Sequence, residues 1–133
     1  MASILLIDDD ETFRTTLAQT LTAGGHVVTT ASDGLDGARL FRARPTDLII
    51  TDMMMPHGGL AVIRVLREQF HHLRIIAMTG GGSHRLDYAR SLGASRTLAK
   101  PFTPEQLASA IAGALAAAPS RADGSAGLPP ACD

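Results

Sequence analysis

Ile4-Leu5-Leu6-Ile7-Asp8-Asp9-Asp10-Glu11 opens the chain with four apolar residues that stop at four acidic ones. A continuous apolar run of this length suits a strand buried on both faces, as in a parallel sheet covered by helices. Phe13, Leu17 and Leu21 follow at spacing four, the period of a helix, and Gly24-Gly25 ends it. His26 to Ala31, rich in Val and Thr, reads as a second strand. Leu35, Ala38 and Phe41 mark a second helix that stops before Pro45. Leu48-Ile49-Ile50 is a third strand, and Leu60, Ile63, Leu66 and Phe70 lie on one face of a third helix. Ile75-Ile76-Ala77-Met78 is a fourth strand, followed by a glycine-rich turn and a short helix through Leu86, Ala89 and Arg90. Ser95 to Ala99 forms a short fifth strand. The last helix opens with Thr103 as N-cap and Pro104 at its first position, and Leu107, Ile111 and Leu115 continue at spacing four.

Strands and helices in strict alternation predict an α/β fold, a five-stranded parallel sheet that is doubly wound with helices on both faces. Right-handed crossovers favour the flavodoxin-like strand order 2-1-3-4-5. A chain of 133 residues holds one such domain, expected over residues 1–118. Beyond Ala118 the composition shifts to Pro, Ser, Gly and Ala, which predicts a flexible tail over 119–133 with no output domain.

Composition narrows the function. Hydrophobic residues make up 45% and charged residues 19%, the balance of a folded protein. No apolar run reaches the roughly 18 residues that span a bilayer, and the start lacks the basic region of a signal peptide, so a cytoplasmic protein away from membranes is expected. Cys132 is the single cysteine, which excludes an internal disulfide. A net charge of −1 without clustered Lys or Arg argues against a nucleic-acid partner. Of the twelve basic residues eleven are arginine, and Lys100 is the only lysine. A compact ammonium on a flexible stem is poorly replaced by a planar guanidinium where one phosphate oxygen must be met end-on, which marks Lys100 as functional.

In an open parallel sheet ligands bind beyond the carboxyl ends of the strands, near the point where the strand order reverses. After strand one come Asp8, Asp9, Asp10 and Glu11; after strand three, Asp52; after strand four, Thr79; after strand five, Lys100. Carboxylates gathered on one rim repel one another and call for a cation. With only oxygen donors on offer, a hard ion such as Mg²⁺ (or Mn²⁺) fits better than zinc. A lysine and a threonine hydroxyl facing it suit a phosphoryl group, and the chemistry indicated is attack by a carboxylate on phosphorus to give an aspartyl phosphate.

The stretches Ile4-Leu5-Leu6-Ile7-Asp8-Asp9-Asp10, Asp52-Met53-Met54-Met55-Pro56, Met78-Thr79-Gly80 and Lys100-Pro101-Phe102 together resemble the receiver domain of bacterial response regulators, over about residues 2 to 118. The resemblance implies a stand-alone phosphoaspartate switch in a two-component or phosphorelay pathway, with Asp52 as phosphate acceptor. It implies Asp9 as the main carboxylate ligand of Mg²⁺, with Asp52, with Asp8 assisting directly or through water, and with the backbone carbonyl of Met54 as a further ligand. Thr79, the backbone of Gly80 and Lys100 would meet the phosphoryl oxygens, and Lys100-Pro101 would be a cis peptide. The implied partners are a histidine kinase or histidine phosphotransfer protein and an unidentified downstream protein. Such a chain promotes its own phosphorylation and is not a turnover enzyme. Asp10 has no assigned contact and is read as a cap of the first helix.

Three features depart from the family pattern. The position three before the lysine, often Tyr or Phe, is Thr97, so an aromatic rotamer switch there is not expected. The loop Pro56-His57-Gly58-Gly59-Leu60 is one residue shorter than usual. Gly80-Gly81-Gly82-Ser83 makes a pliable turn, read as a mobile switch loop that takes over as the moving part. His71-His72 reads as solvated loop, and Met53-Met54-Met55 as packing and loop. The rival readings are a Mg²⁺-dependent aspartyl-phosphate phosphatase, a flavin-binding module and an unphosphorylated receiver-like interaction module. The first expects a second acid two positions after the nucleophile, where Met54 stands. The second lacks aromatic residues to stack on a flavin, and the third does not explain the intact acidic and phosphate-facing set.

Overall fold

The computed structural model describes residues 2–53, 59–70, 72–80 and 94–116, with backbone alone over 59–63. Five strands carry the fold: β1 (Ser3–Ile7), β2 (Val27–Ala31), β3 (Leu48–Asp52), β4 (Arg74–Thr79) and β5 (Arg96–Ala99). Four helices lie among the described residues: α1 (Glu11–Ala23), α2 (Gly34–Ala43), α3 (Gly59–Gln69) and α4 (Pro104–Ala116). The expected helix through Leu86, Ala89 and Arg90, the Gly81-Gly82-Ser83 turn and the expected tail over 119–133 lie outside these residues.

All strands are parallel, in the order β2-β1-β3-β4-β5 that the alternation predicts. Side chains alternate across the pleat and divide the interior into two layers. Ile4, Leu6, Leu48, Ile50, Ile76, Met78 and Leu98 meet Leu17 and Leu21 of α1 and Leu107, Ile111 and Ala114 of α4. Leu5, Ile7, Ile49, Ile75 and Ala77 meet Ala38 and Phe41 of α2 and Leu66 of α3 on the other face. Burial on both faces explains why the central strands read as unbroken apolar runs. Strand β2, at the edge, leaves Val27 61% exposed and reads as mixed Val and Thr for that reason.

Helix ends follow local chemistry. The Asp10 carboxylate accepts the Phe13 N–H at 3.1 Å and caps α1. At the other end Gly25 takes φ 94°, and the N–H groups of Gly25 and His26 return to the carbonyls of Thr22 and Leu21 at 3.0 and 3.2 Å. Helix α4 begins with a reciprocal cap: Gln106 N–H to Thr103 Oγ1 at 3.0 Å and Thr103 N–H to Gln106 Oε1 at 2.8 Å.

Helix α2 corrects the sequence reading in one respect. Leu35, taken as part of its apolar face, is 78% exposed, while Gly34, Gly37, Ala38 and Phe41 are buried. The helix sits so close to β1 that a Cβ at Gly37 would come within 2.9 Å of Ile7 Cγ1 and closer still to Ile7 Cδ1. Glycine, not leucine, therefore occupies the contact stripe.

Candidate functional site

The alternation that sends Ile4 and Leu6 toward α1 and α4 continues one residue past β1 and carries Asp8 to the same side. Leu48 and Ile50 do the same for Asp52, and Leu98 for Lys100. Three polar side chains thus emerge together at the carboxyl end of the sheet, beside the junction of β1 and β3 where the chain reverses its direction of winding.

Asp8 is fully buried and heavily bonded. Its N–H donates to Ala31 O at 3.1 Å, its Oδ1 accepts the Asp10 N–H at 2.9 Å, and its carbonyl accepts Arg14 Nη1 at 2.7 Å. Asp52 is the last residue of β3 and is 5% exposed. Asp9 is exposed, and oxygens of Asp8, Asp9 and Asp52 lie within 4.8 Å of one another. Lys100 Nζ donates to Asp8 Oδ2 at 3.0 Å and to Asp52 Oδ2 at 3.3 Å. Burial alone would lower the pKa of this ammonium, but the hydrogen bond to Asp8 and the charges of Asp52 and Asp8 outweigh it, holding Lys100 above its ordinary range.

Thr79 ends β4 and is buried, and its hydroxyl has no hydrogen-bond partner among the described residues. A buried hydroxyl without a partner is costly, and at a rim such as this it marks a place where a ligand oxygen fits. The Thr79 carbonyl accepts the Lys100 N–H at 2.7 Å, so the backbones of the two residues are tied together. Among the described residues, a Cβ at Gly80 would meet nothing within 4 Å. The Lys100-Pro101 peptide is cis, as the resemblance implies. Thr97 pairs in register with Ala77 and places no ring at the site.

The structure thus gathers Asp8, Asp9, Asp52 and Lys100, with Thr79 on the neighbouring strand end. Asp10 serves the helix, as read. Met54, His57, His71 and His84 lie outside the described residues, and His72 is exposed. One participant escaped the sequence reading. Phe13, taken only as a core position of α1, has its ring centroid 4.1 Å from Lys100 Nζ and lies 6.1 Å from the Phe102 ring at an interplanar angle of 84°. Its place one turn beyond Asp9 on a helix that starts at the strand ends was the available signal.

Oxygen donors of three carboxylates with no sulfur or imidazole among them suit Mg²⁺ or Mn²⁺. The Thr79 hydroxyl, which has no partner among the described residues, and the Lys100 ammonium suit an anionic oxygen. Among the described residues no helix is long and apolar enough to cross a membrane.

A family model described as the response regulator receiver domain matches residues 4–112. The photosynthetic apparatus regulatory protein RegA of Cereibacter sphaeroides is 35% identical over 111 residues, which is 82% of this chain and 60% of that protein. A probable chemotaxis protein CheY of Rhizobium etli is 34% identical over 113 residues, 81% of this chain and 88% of its own length. The chain therefore spans less than two thirds of RegA but most of the CheY-like protein. The crystal structure of a response regulator receiver domain protein from Clostridium thermocellum superimposes with a TM-score of 0.80 at 34% identity, covering 86% of this chain and 94% of that one.

Proposed function

The chain belongs to the response regulator receiver family, and on that premise we propose that it is a phosphoaspartate signalling switch of the two-component type in which Asp52 accepts the phosphoryl group. The observation that carries this reading is the placement of Lys100 Nζ at 3.3 Å from the buried Asp52 carboxylate, with the Asp8 and Asp9 carboxylates alongside.

In the proposed reaction an Asp52 oxygen attacks the phosphorus of a phosphohistidine. The new P–O bond forms as the P–N bond breaks, and the imidazole leaves with its electron pair and takes up a proton. Asp8, Asp9 and Asp52, with the backbone carbonyl of Met54, would hold Mg²⁺, Asp8 directly or through water. The ion, when bound, supplies charge neutralisation to the phosphoryl oxygens. Lys100 turns from Asp52 Oδ2 to one of those oxygens, and its raised pKa keeps it charged throughout the neutral range. The Thr79 hydroxyl, without a partner among the described residues, donates to another, with the Gly80 backbone beside it. That new bond draws the end of β4 toward the acceptor and shifts a two-state surface.

The donor in this reading is a histidine kinase or histidine phosphotransfer protein, and the phosphorylated form acts on a further protein in the cytoplasm. The chain modifies its own carboxylate and turns over no outside substrate. Incubation with a small phosphodonor and Mg²⁺, followed by intact-mass measurement, tests the assignment. Wild type is expected to gain one phosphoryl group and Asp52→Asn none. An adduct of equal yield in the variant, or no adduct on wild type, would overturn it.

A further inference from the structure

Three groups hold the Lys100 ammonium among the described residues: the carboxylates of Asp8 and Asp52 and the ring of Phe13. The first two also belong to the carboxylate cluster that would hold a divalent cation. Were Asp8 and Asp52 to turn toward a cation, they would weaken their hold on Lys100, and the ammonium would then face like charge. The negative face of the Phe13 ring attracts an ammonium but offers no oxygen to a hard, hydrated ion. It is the one contact of the three that the metal does not compete for.

The ring is itself fixed. Phe102, two residues beyond Lys100, packs edge-to-face against it. Its backbone is anchored through Asp10, whose carboxylate takes the Phe13 N–H at 3.1 Å and whose own N–H bonds Asp8 Oδ1 at 2.9 Å. Lys100, Asp8, Asp10 and Phe13 thus form a closed circuit of contacts, which ties the backbone of Phe13 to the carboxylates through the cap of α1.

We propose that Phe13 is a positioning residue for Lys100, holding the ammonium at the acceptor while Asp8 and Asp52 are engaged with the cation, so that it is in place when the phosphoryl group arrives. The proposal rests on the reading of Asp52 and Lys100 as the phosphoryl site and adds a residue to it.

Because Lys100 is the only lysine, [¹³Cε]lysine labelling of the full chain yields a single side-chain signal. Wild type should show that signal displaced upfield by the ring current, and the displacement should persist on adding MgCl₂. Phe13→Leu should abolish it and Phe13→Tyr retain it. Phenylalanines carrying successive fluorines at position 13 keep the ring and the packing but weaken its negative face. With phosphoramidate as donor the rate of phosphorylation should fall stepwise along that series, by up to about fivefold, the value of one cation–π contact. An undisplaced lysine signal, a displacement lost on adding MgCl₂, or a rate indifferent to fluorination overturns the proposal. No adduct on wild type would sink the reading of Asp52 and this proposal with it. A normal wild-type adduct with a flat fluorine series sinks the proposal alone.

Discussion

Lys100→Met removes the ammonium that lies 3.0 Å from Asp8 Oδ2 and 3.3 Å from Asp52 Oδ2 while keeping most of its apolar stem. At an effective dielectric constant of about 20 each contact carries about 5 kcal/mol of Coulomb attraction. Desolvating the ammonium and ordering its stem offset much of that. Removing one partner of a buried pair typically costs about 3–5 kcal/mol, because the remaining charge stays buried with its countercharge gone. Asp8 and Asp52 are that remainder, at 0% and 5% exposure. Lys100 keeps 23% of its side chain exposed, so solvent screening trims the figure to about 2–4 kcal/mol. Urea denaturation at neutral pH in EDTA should therefore show Lys100→Met less stable than wild type by that amount. Magnesium offers the same carboxylates a replacement cation. In saturating MgCl₂ the deficit should shrink, and the variant should bind Mg²⁺ more tightly than wild type because no ammonium competes. Equal stability of the two proteins in EDTA, or a deficit indifferent to MgCl₂, would refute the reasoning.

The pKa of Lys100 lies above its ordinary value of 10.5 in the folded protein. Its stabilising contribution is therefore complete below about pH 10 and lost as pH rises through the folded value, so the gap between wild type and Lys100→Met should narrow only in the alkaline limb. Thr79→Val replaces a buried hydroxyl without a described partner by a methyl group of the same shape; it should raise stability by about 1–2 kcal/mol in urea and slow the conformational response to phosphorylation. A destabilised Thr79→Val would mean that the hydroxyl is already satisfied. Gly37→Ala gains helix propensity but drives a methyl group into Ile7, and the balance should be a loss of about 1–2 kcal/mol. Ile7→Val in the same chain should recover part of it, and additive losses in a double-mutant cycle would exclude the clash.

Much of the architecture was legible in the chain itself, because burial on both faces of a parallel sheet leaves unbroken apolar runs and each run ends where the strand meets solvent. Ile4 to Ile7, Leu48 to Ile50 and Ile75 to Met78 announce themselves in this way, and the residues that follow make up the candidate site. The two helix caps at Asp10 and Thr103 and the stop at Gly24-Gly25 are local chemistry and were equally readable. Helix α2 was misread at Leu35 because a count of apolar residues gives no weight to glycine, whereas the contact with Ile7 is so close that a Cβ at Gly37 would push into that side chain.

Sequence alone determined which residues stand at the carboxyl ends of the strands, since the period of the pattern sets where each strand stops. It could not determine which of them touch. The bond from Lys100 to Asp8 joins residues 92 apart, and the ring of Phe13 meets Lys100 only because α1 folds back over the sheet. Such contacts depend on the packing of elements against one another, and no local propensity encodes that packing. Tertiary structure therefore decided the point that matters most for the proposed switch: Lys100 is held by two carboxylates and a ring, and the Thr79 hydroxyl has no hydrogen-bond partner among the described residues.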